Sequence, residues 1–313
     1  MSNTKLPILS IIGPTSIGKT QLAFEIEKRF PVEIISVDSA MIYREMNIGT
    51  DKPDEEALLN IKHHLINIKD PNENYNVGSF CQDAQNLINN LHLRNKIPMF
   101  VGGTLMYFNQ LYYGLNKLPE RSSEIREFIN NLAKKYSWSK LHKCIEEIDL
   151  ISAEKIKKND QQRIQRILEI YILTGKPPSS FFIKSDKLSQ KFNLITIKLL
   201  TENRSNLHDR IKKRTKGMFE KGLIDEVSNI KEKYGLSLES QSMQAIGYNQ
   251  VMKYLDGELP YDEIIDKTIF STRQLCKRQI TWLKKFESAY ELNIDRKLED
   301  SFFLKIEKCL QFP

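Results

Sequence analysis

The chain has 313 residues, 40% of them hydrophobic and 28% charged, the make-up of a globular protein with room for one large domain or two smaller ones. No apolar run approaches the ~20 residues a membrane span needs, and Cys81, Cys144, Cys276 and Cys309 are scattered without a CxxC pair, which argues against both a disulfide scaffold and a zinc site. A net charge of +7 suits a polyanionic partner without requiring one, and the expected location is the cytoplasm.

Leu6–Ile12 is a short apolar run with β-branched residues, suited to a buried strand, and Gln21 to Phe30 alternates apolar and polar residues with a helical period. Between them Gly13, Pro14, Thr15, Ser16, Ile17, Gly18, Lys19 and Thr20 meet every fixed position of GxxxxGK[ST]. In that context the glycines let backbone N–H groups converge on phosphate oxygens at a helix N-terminus. Lys19 is placed to neutralise a phosphate and the Thr20 hydroxyl to ligate Mg²⁺. A Gly-rich turn that binds nothing is the alternative, and the agreement of pattern and context disfavours it. The loop alone does not say which phosphorylated ligand it holds.

Glu33–Val37 is the next strand, and it ends in Asp38 and Ser39. Strand ends of such sheets face the ligand crevice, so Asp38 either serves the site, holding Mg²⁺ through water or accepting a proton, or caps the following turn. Its place beside the loop favours the first. The polar segment Tyr43, Gly49, Thr50, Asp51, Lys52, Pro53 carries no meaning by itself. Ile97–Val101 is a third strand, stopping at Gly102-Gly103-Thr104; either the Thr104 hydroxyl points into the same crevice or this is an ordinary strand-to-helix turn.

From about Pro119 to Ser185 the pattern turns to helices rich in Lys, Glu and Asn, an expected helical insertion. Within it Asp160 is an N-cap, and a helix runs to Gly175 and Pro177. Ile164, Ile167, Leu168 and Tyr171 share one face, leaving Gln162, Arg163 and Arg166 on the other; alone, that polar face reads as solvated. Phe192–Leu199 returns to the sheet. Asn206–Tyr234 is helical, broken near Gly222, and rich in cations, with Arg210 and Arg214 spaced i,i+4 to clamp an anion. Tyr261–Phe286 is a further helix. Arg273, Lys277, Arg278, Lys284 and Lys285 form a basic stripe on it, uninterrupted by acids, opposite Leu275, Trp282, Leu283 and Phe286, so Trp282 is expected in the core. The last residues carry no recognisable chemistry.

In this order the motifs GPTSIGKT (13–20), ISVDSAMIYREMNIGTDKP (35–53), VGGTLMYF (101–108), NDQQRIQRILEIYILTGKP (159–177), AIGYNQ (245–250) and TRQLCKRQITW (272–282) resemble the tRNA dimethylallyltransferases, also called tRNA isopentenyltransferases, of bacterial type. The resemblance implies an α/β fold, a P-loop NTPase-like parallel sheet core flanked by helices with an all-helical insertion domain: residues 1–118 and 186–313 form the core, and 119–185 the insertion, which binds the tRNA anticodon stem-loop. It implies that the loop holds dimethylallyl diphosphate, with Mg²⁺ at Thr20 as cofactor, and that N6 of adenosine 37 displaces diphosphate. Asp38 is then the general base, Thr104 orients the reacting groups, and Lys19, Arg210 and Arg214 stabilise the leaving diphosphate. The implied tRNA contacts are Asp38, Ser39, Ala40, Met41, Thr104, Arg126, Gln162, Arg163, Ile164, Gln165, Arg166, Gln244, Ala245, Ile246, Gly247, Tyr248, Asn249, Lys277, Arg278, Gln279, Ile280, Thr281, Trp282, Leu283 and Lys284.

The chain departs from the family's commonest form at Met41, where many members carry Gln, and at Gln244 and Asn249, where a cation is frequent. A monomer with no membrane partner is expected. The competing reading is an ATP-dependent small-molecule or nucleoside kinase, for which the loop and Asp38 would suffice, but which leaves the basic stripe unexplained.

Overall fold

The structure, a computed structural model, describes residues 5–114, 118–182, 187–287, 289–296 and 298–310. Six strands, β1 (Pro7–Ile12), β2 (Val32–Val37), β3 (His63–His64), β4 (Ile97–Gly102), β5 (Asn193–Leu200) and β6 (Tyr290–Asn293), form one sheet in the order β3-β2-β4-β1-β5-β6. Every pairing is parallel. The four long strands are the apolar runs, and β1 and β2 are buried along their whole length, as strands covered on both faces must be. The edge strands β3 and β6 add two and four residues, too few to display a period of their own.

The connections are helical: α1 (Lys19–Glu27), α2 (Glu55–Asn60), α3 (Val77–Leu93) and α4 (Leu105–Tyr113) in the first half, then α5 (Ser123–Tyr136), α6 (Trp138–Ile148), α7 (Leu150–Ala153) and α8 (Gln161–Thr174). After them come α9 (Leu188–Lys191), α10 (Arg204–Glu220), α11 (Leu223–Tyr234), α12 (Tyr248–Leu255), α13 (Tyr261–Leu283) and α14 (Asp300–Leu310). One face of the sheet, including Leu9, Ile11, Ile34, Met99 and Ile197, packs against α1, α10, α13 and α14 through Ala23, Ile26, Leu207, Ile211, Cys276 and Phe303. On β4 sits α3, whose Phe80, Ala84, Ile88 and Leu91 are buried.

The chain divides into two compact units, one of Met1–Tyr112 with Lys187–Pro313, the other Tyr113–Asp186. The second is a helical bundle of α5 to α8, its core made of Ile129, Ala133, Leu141, Ile145, Ala153, Ile164 and Leu168. No helix among the described residues is long and apolar enough to cross a membrane.

Candidate active site

Strand register sets the site. Gly102, the last residue of β4, is paired with Ile12 of β1 on one side and Val37 of β2 on the other. The loops that follow these three strands therefore leave the sheet level and side by side, at its carboxyl edge. They line a cavity of about 870 Å³, whose walls include Thr15, Ser16, Gly18, Lys19 and Thr20, the turn Asp38–Met41, Gly103 and Thr104, and Arg210 and Arg214 of α10. Gln244, Ala245, Ile246, Arg278, Gln279 and Trp282 line it too. Residues spread over more than 260 positions of sequence are thus gathered at one edge of the sheet.

Within the loop after β1, Ser16 (φ 61°) and Gly18 (φ 102°) both adopt left-handed backbone, the alternation that turns successive N–H groups toward one centre. Side chains of Asp54, Asn76, Ser122, Asp160 and Asn203 cap α2, α3, α5, α8 and α10. The N-terminus of α1 has no such cap and no acid in its first turn, so its amides stay available to an anion. The buried Ser16 hydroxyl likewise has no partner among the described residues. Gly13, Pro14 and Ile17 are buried and shape the loop from behind; Ile17 belongs to the main core.

Lys19 donates from Nζ to the Pro14 carbonyl at 2.8 Å. Burial and then the nearby Arg214 guanidinium depress its pKa to about 8, with Asp38 pulling the other way. Arg214 donates to Thr15 Oγ1 (2.8 Å) and to the Thr50 carbonyl (3.3 Å), and pairs with Asp51 at 3.1 Å. Arg210 is exposed at the cavity wall. The two arginines and Lys19 make the crevice cationic where α1 begins.

Asp38 divides its two oxygens. Oδ1 accepts from the Ala40 and Met41 amides at 2.8 and 3.2 Å, which fixes the turn after β2. No described residue donates to Oδ2. Thr104 ties this strand end to its neighbour: its N–H donates to the Val37 carbonyl (3.2 Å), and its Oγ1 accepts from the Ser39 amide (3.3 Å). The Met41 sulfur accepts from the Ser36 hydroxyl at 3.9 Å, so its side chain packs on the cavity wall.

On α13, Gln279 is a buried cross-link. Its Oε1 accepts from the Thr15 amide and its Nε2 donates to the Gly103 carbonyl, both at 2.9 Å. Its side chain therefore braces the phosphate loop against the end of β4. Trp282 is not in the core as its helical position suggested; it is half-buried in the cavity wall, with the Lys285 ammonium 3.8 Å from its ring centroid. The reason is that α13 turns Ile269, Cys276, Gln279 and Leu283 inward, rotating the buried stripe away from Trp282. Lys277, Arg278, Thr281 and Lys284 are exposed, while Ile280 packs on the core and Leu283 is buried.

Among the other expected tRNA contacts, Gln244 is exposed and donates to the Leu238 carbonyl, Asn249 is partly exposed, and Gly247 is buried. Tyr248 is fully buried and donates to Glu226 Oε1 at 2.5 Å. Ile164 lies in the insertion's core. The side chains of Ile164, Tyr248 and Leu283 are packing groups, which corrects their placement on a contact surface.

In the insertion, taken by itself, Gln162 and Arg163 are exposed. Arg166 and Arg126 instead converge on Glu169, a fully buried carboxylate. Arg126 donates through Nε and Nη2 (2.9 and 3.2 Å), Arg166 through Nη1 (2.6 Å), and the Ser122 amide adds a bond of 2.9 Å. Burial pushes the Glu169 carboxyl up, but the hydrogen bonds from the two arginines outweigh it and hold the group below the usual carboxylate range. Gln165 donates to Asn130 Oδ1 at 2.8 Å. Glu169 lies on a mainly apolar helix face where nothing in its neighbours marks it; its carboxylate holds two guanidinium groups at fixed positions.

Among the described residues no three or more His, Cys, Asp or Glu gather into a metal cluster. Thr20 and Asp38 do present hard oxygen donors to one cavity. That sparse set fits Mg²⁺, which keeps several waters and takes other ligands from a bound diphosphate.

A parallel α/β core with a phosphate loop, a helical insertion and a cationic crevice beside a carboxylate defines a P-loop NTPase-like protein. Comparison with known proteins narrows the class. The family model described as IPP transferase matches residues 41–286, and one described as isopentenyl transferase matches residues 6–73. The tRNA dimethylallyltransferase of Nitrosomonas europaea is 43% identical over 278 residues, covering 89% of this chain and 88% of the relative. That of Legionella pneumophila (strain Paris) is 43% identical over 282 residues, covering 90% of each. Among solved structures, the tRNA isopentenylpyrophosphate transferase of Bacillus halodurans superposes with a TM-score of 0.70 at 34% identity, covering 97% of this chain and 95% of that one. A eukaryotic dimethylallyltransferase acting on tRNA gives 0.77 at 28% identity, over 92% and 74%. The chain belongs to the IPP transferase family.

Proposed function

We propose that this chain transfers the dimethylallyl group of dimethylallyl diphosphate to N6 of adenosine 37, beside the tRNA anticodon, giving N6-isopentenyladenosine and diphosphate. The observation that carries this reading is the uncapped N-terminus of α1 opening beside Lys19 and Arg214 into the cavity that Asp38 and Thr104 also line. Its family membership favours prenyl transfer over the phosphoryl transfer of a kinase.

In this reaction the bond between C1 of the allyl group and the diphosphate oxygen breaks as the N6–C1 bond forms, and the N6 proton passes to a base. Negative charge grows on the diphosphate as it departs. The amides at the start of α1, the Lys19 ammonium and the Arg210 and Arg214 guanidiniums meet that charge, and they do so in a crevice already organised before the ligand arrives. Asp38 takes the proton through the oxygen its turn leaves open; Thr104, bonded to Ser39, holds the amine or the leaving oxygen in line. Mg²⁺ held by Thr20 would supply further neutralisation of the diphosphate. Extrusion of the purine from the anticodon loop brings N6 within reach.

The exposed Lys277, Arg278 and Lys284 on α13, with Gln162 and Arg163 on the insertion, supply cations and amides for the sugar-phosphate backbone. A monomer acting in the cytoplasm satisfies this scheme. The test is to incubate the protein with dimethylallyl diphosphate, Mg²⁺ and unmodified tRNA, digest the RNA and weigh its nucleosides. A mass gain of one isopentenyl group on adenosine is expected; phosphoryl transfer from ATP with no nucleoside change would overturn the assignment.

A further inference from the structure

The polar segment after β2 carried no meaning in the sequence, yet the structure immobilises it from a helix almost 180 residues away. Glu226, in the first turn of α11, accepts from three consecutive backbone amides: Asn47 (3.0 Å) and Ile48 (2.8 Å) on Oε2, and Gly49 (3.3 Å) on Oε1. The Tyr248 hydroxyl donates to Oε1 as well, at 2.5 Å. A carboxylate that accepts four hydrogen bonds is strongly fixed. Contact behind the segment is equally tight, since a Cβ on Gly49 would sit 2.4 Å from the Tyr248 ring.

The next two residues are the ones that hold Arg214. Thr50 offers its carbonyl to Nη2, Asp51 pairs with Nε, and Nη1 reaches Thr15 in the phosphate loop. The Thr50 hydroxyl donates back to the Met46 carbonyl at 2.7 Å, which cross-links residues 46–50 into one turn. Gly49, Thr50 and Asp51 all line the cavity.

We infer that Glu226 is a positioning residue for the donor half of the reaction: by clamping the 47–49 amides it fixes Thr50 and Asp51, which in turn aim Arg214 at the diphosphate. The inference rests on the reading of Arg214 as a diphosphate partner. Glu226 does not touch the substrate. Its chemistry cannot be replaced by an amide, because Oε1 and Oε2 each accept from two donors, and either orientation of a glutamine sets an NH₂ group against two of them.

The experiment is steady-state kinetics of Glu226→Gln with dimethylallyl diphosphate and unmodified tRNA varied separately, in parallel with the unaltered protein. The donor KM should rise about tenfold while the tRNA KM stays within about twofold, a split that general loosening of the fold would not produce. In an Arg214→Ala background the same substitution should add less than about twofold, since the group it positions is gone. An unchanged donor KM, an equal rise in both KM values, or a fully multiplicative double variant would overturn the inference. If Glu226→Gln does not fold, Tyr248→Phe, which deletes one of the four donors, carries the test: a smaller donor-only rise supports the inference and no rise refutes it. Absence of transfer by the unaltered protein would instead overturn the function proposed above, so the two failures are distinguishable.

Discussion

Donor affinity should fall in alkaline solution, and Lys19 sets where. Its pKa is lowered from 10.5 to about 8, by burial first and by Arg214 second. A shift of that size means the charged ammonium is held in the empty crevice at a cost of about 3 kcal/mol. A bound diphosphate reverses the balance, because two or three negative charges within hydrogen-bond reach favour the protonated amine. The bound-state pKa therefore returns toward or above 10.5, and binding takes up a proton wherever the empty protein has lost it. Affinity should level off near pH 7 and fall by up to tenfold per unit from about pH 8 to 10. An alkyl diphosphate is fully ionised throughout this window, so the ligand contributes no slope. Lys52 also sits near 8, chiefly through burial, which makes Lys19→Arg the necessary control: it keeps the charge and should flatten the profile. Calorimetry of dimethylallyl diphosphate in buffers of different ionisation enthalpy reads proton uptake directly. No uptake at pH 8.5, or an undiminished slope in Lys19→Arg, would refute the reasoning. Folding runs the other way. Between about pH 8 and 10.5 the unfolded chain keeps a proton on Lys19 that the folded, empty protein has released, so this group's contribution to stability rises with pH by up to about 1.4 kcal/mol per unit.

Asp38→Asn keeps an oxygen for the Ala40 and Met41 amides but removes the base; kcat should drop by at least ~100-fold with tRNA affinity little changed, and single-turnover assays showing normal transfer would end the general-base role. Lys277→Ala together with Arg278→Ala should lower the salt slope of tRNA binding by about two units if both cations meet phosphates; an identical slope removes α13 from the interface. Glu169→Gln leaves Arg126 and Arg166 without their buried counter-charge and should destabilise the insertion by about 3–5 kcal/mol. Hydrogen exchange in α5 and α8 reads this, and native protection in the variant would show the network to be idle. Because the folded Glu169 pKa is depressed, that contribution is complete above the unfolded value and disappears as pH falls through the folded one.

What could be read from sequence was what is local. The phosphate loop announces itself because eight adjacent residues carry its chemistry, and the four long strands because each is an unbroken apolar run. The break between α10 and α11 fell at Gly222, as its lack of a side chain suggested. Asp38 was legible in position but not in detail, since the turn it fixes with one oxygen and the open second oxygen are matters of geometry. The braces were illegible. Gln279 reaches back 264 positions to Thr15 and Glu226 reaches back 179 to Asn47, and neither leaves any mark on its own neighbours. Strands β3 and β6 leave no signal because edge strands of two and four residues show no alternation, and α14 carries packing residues but no functional motif.

The turn of α13 that carries Lys277 and Arg278 outward also sends Gln279 inward to the Thr15 amide and the Gly103 carbonyl. On the function proposed above, one beam would serve two occupants. Any rolling of that helix would pull on the phosphate loop and on the end of β4 through the same side chain, so the pitch and roll of its backbone are tied to both.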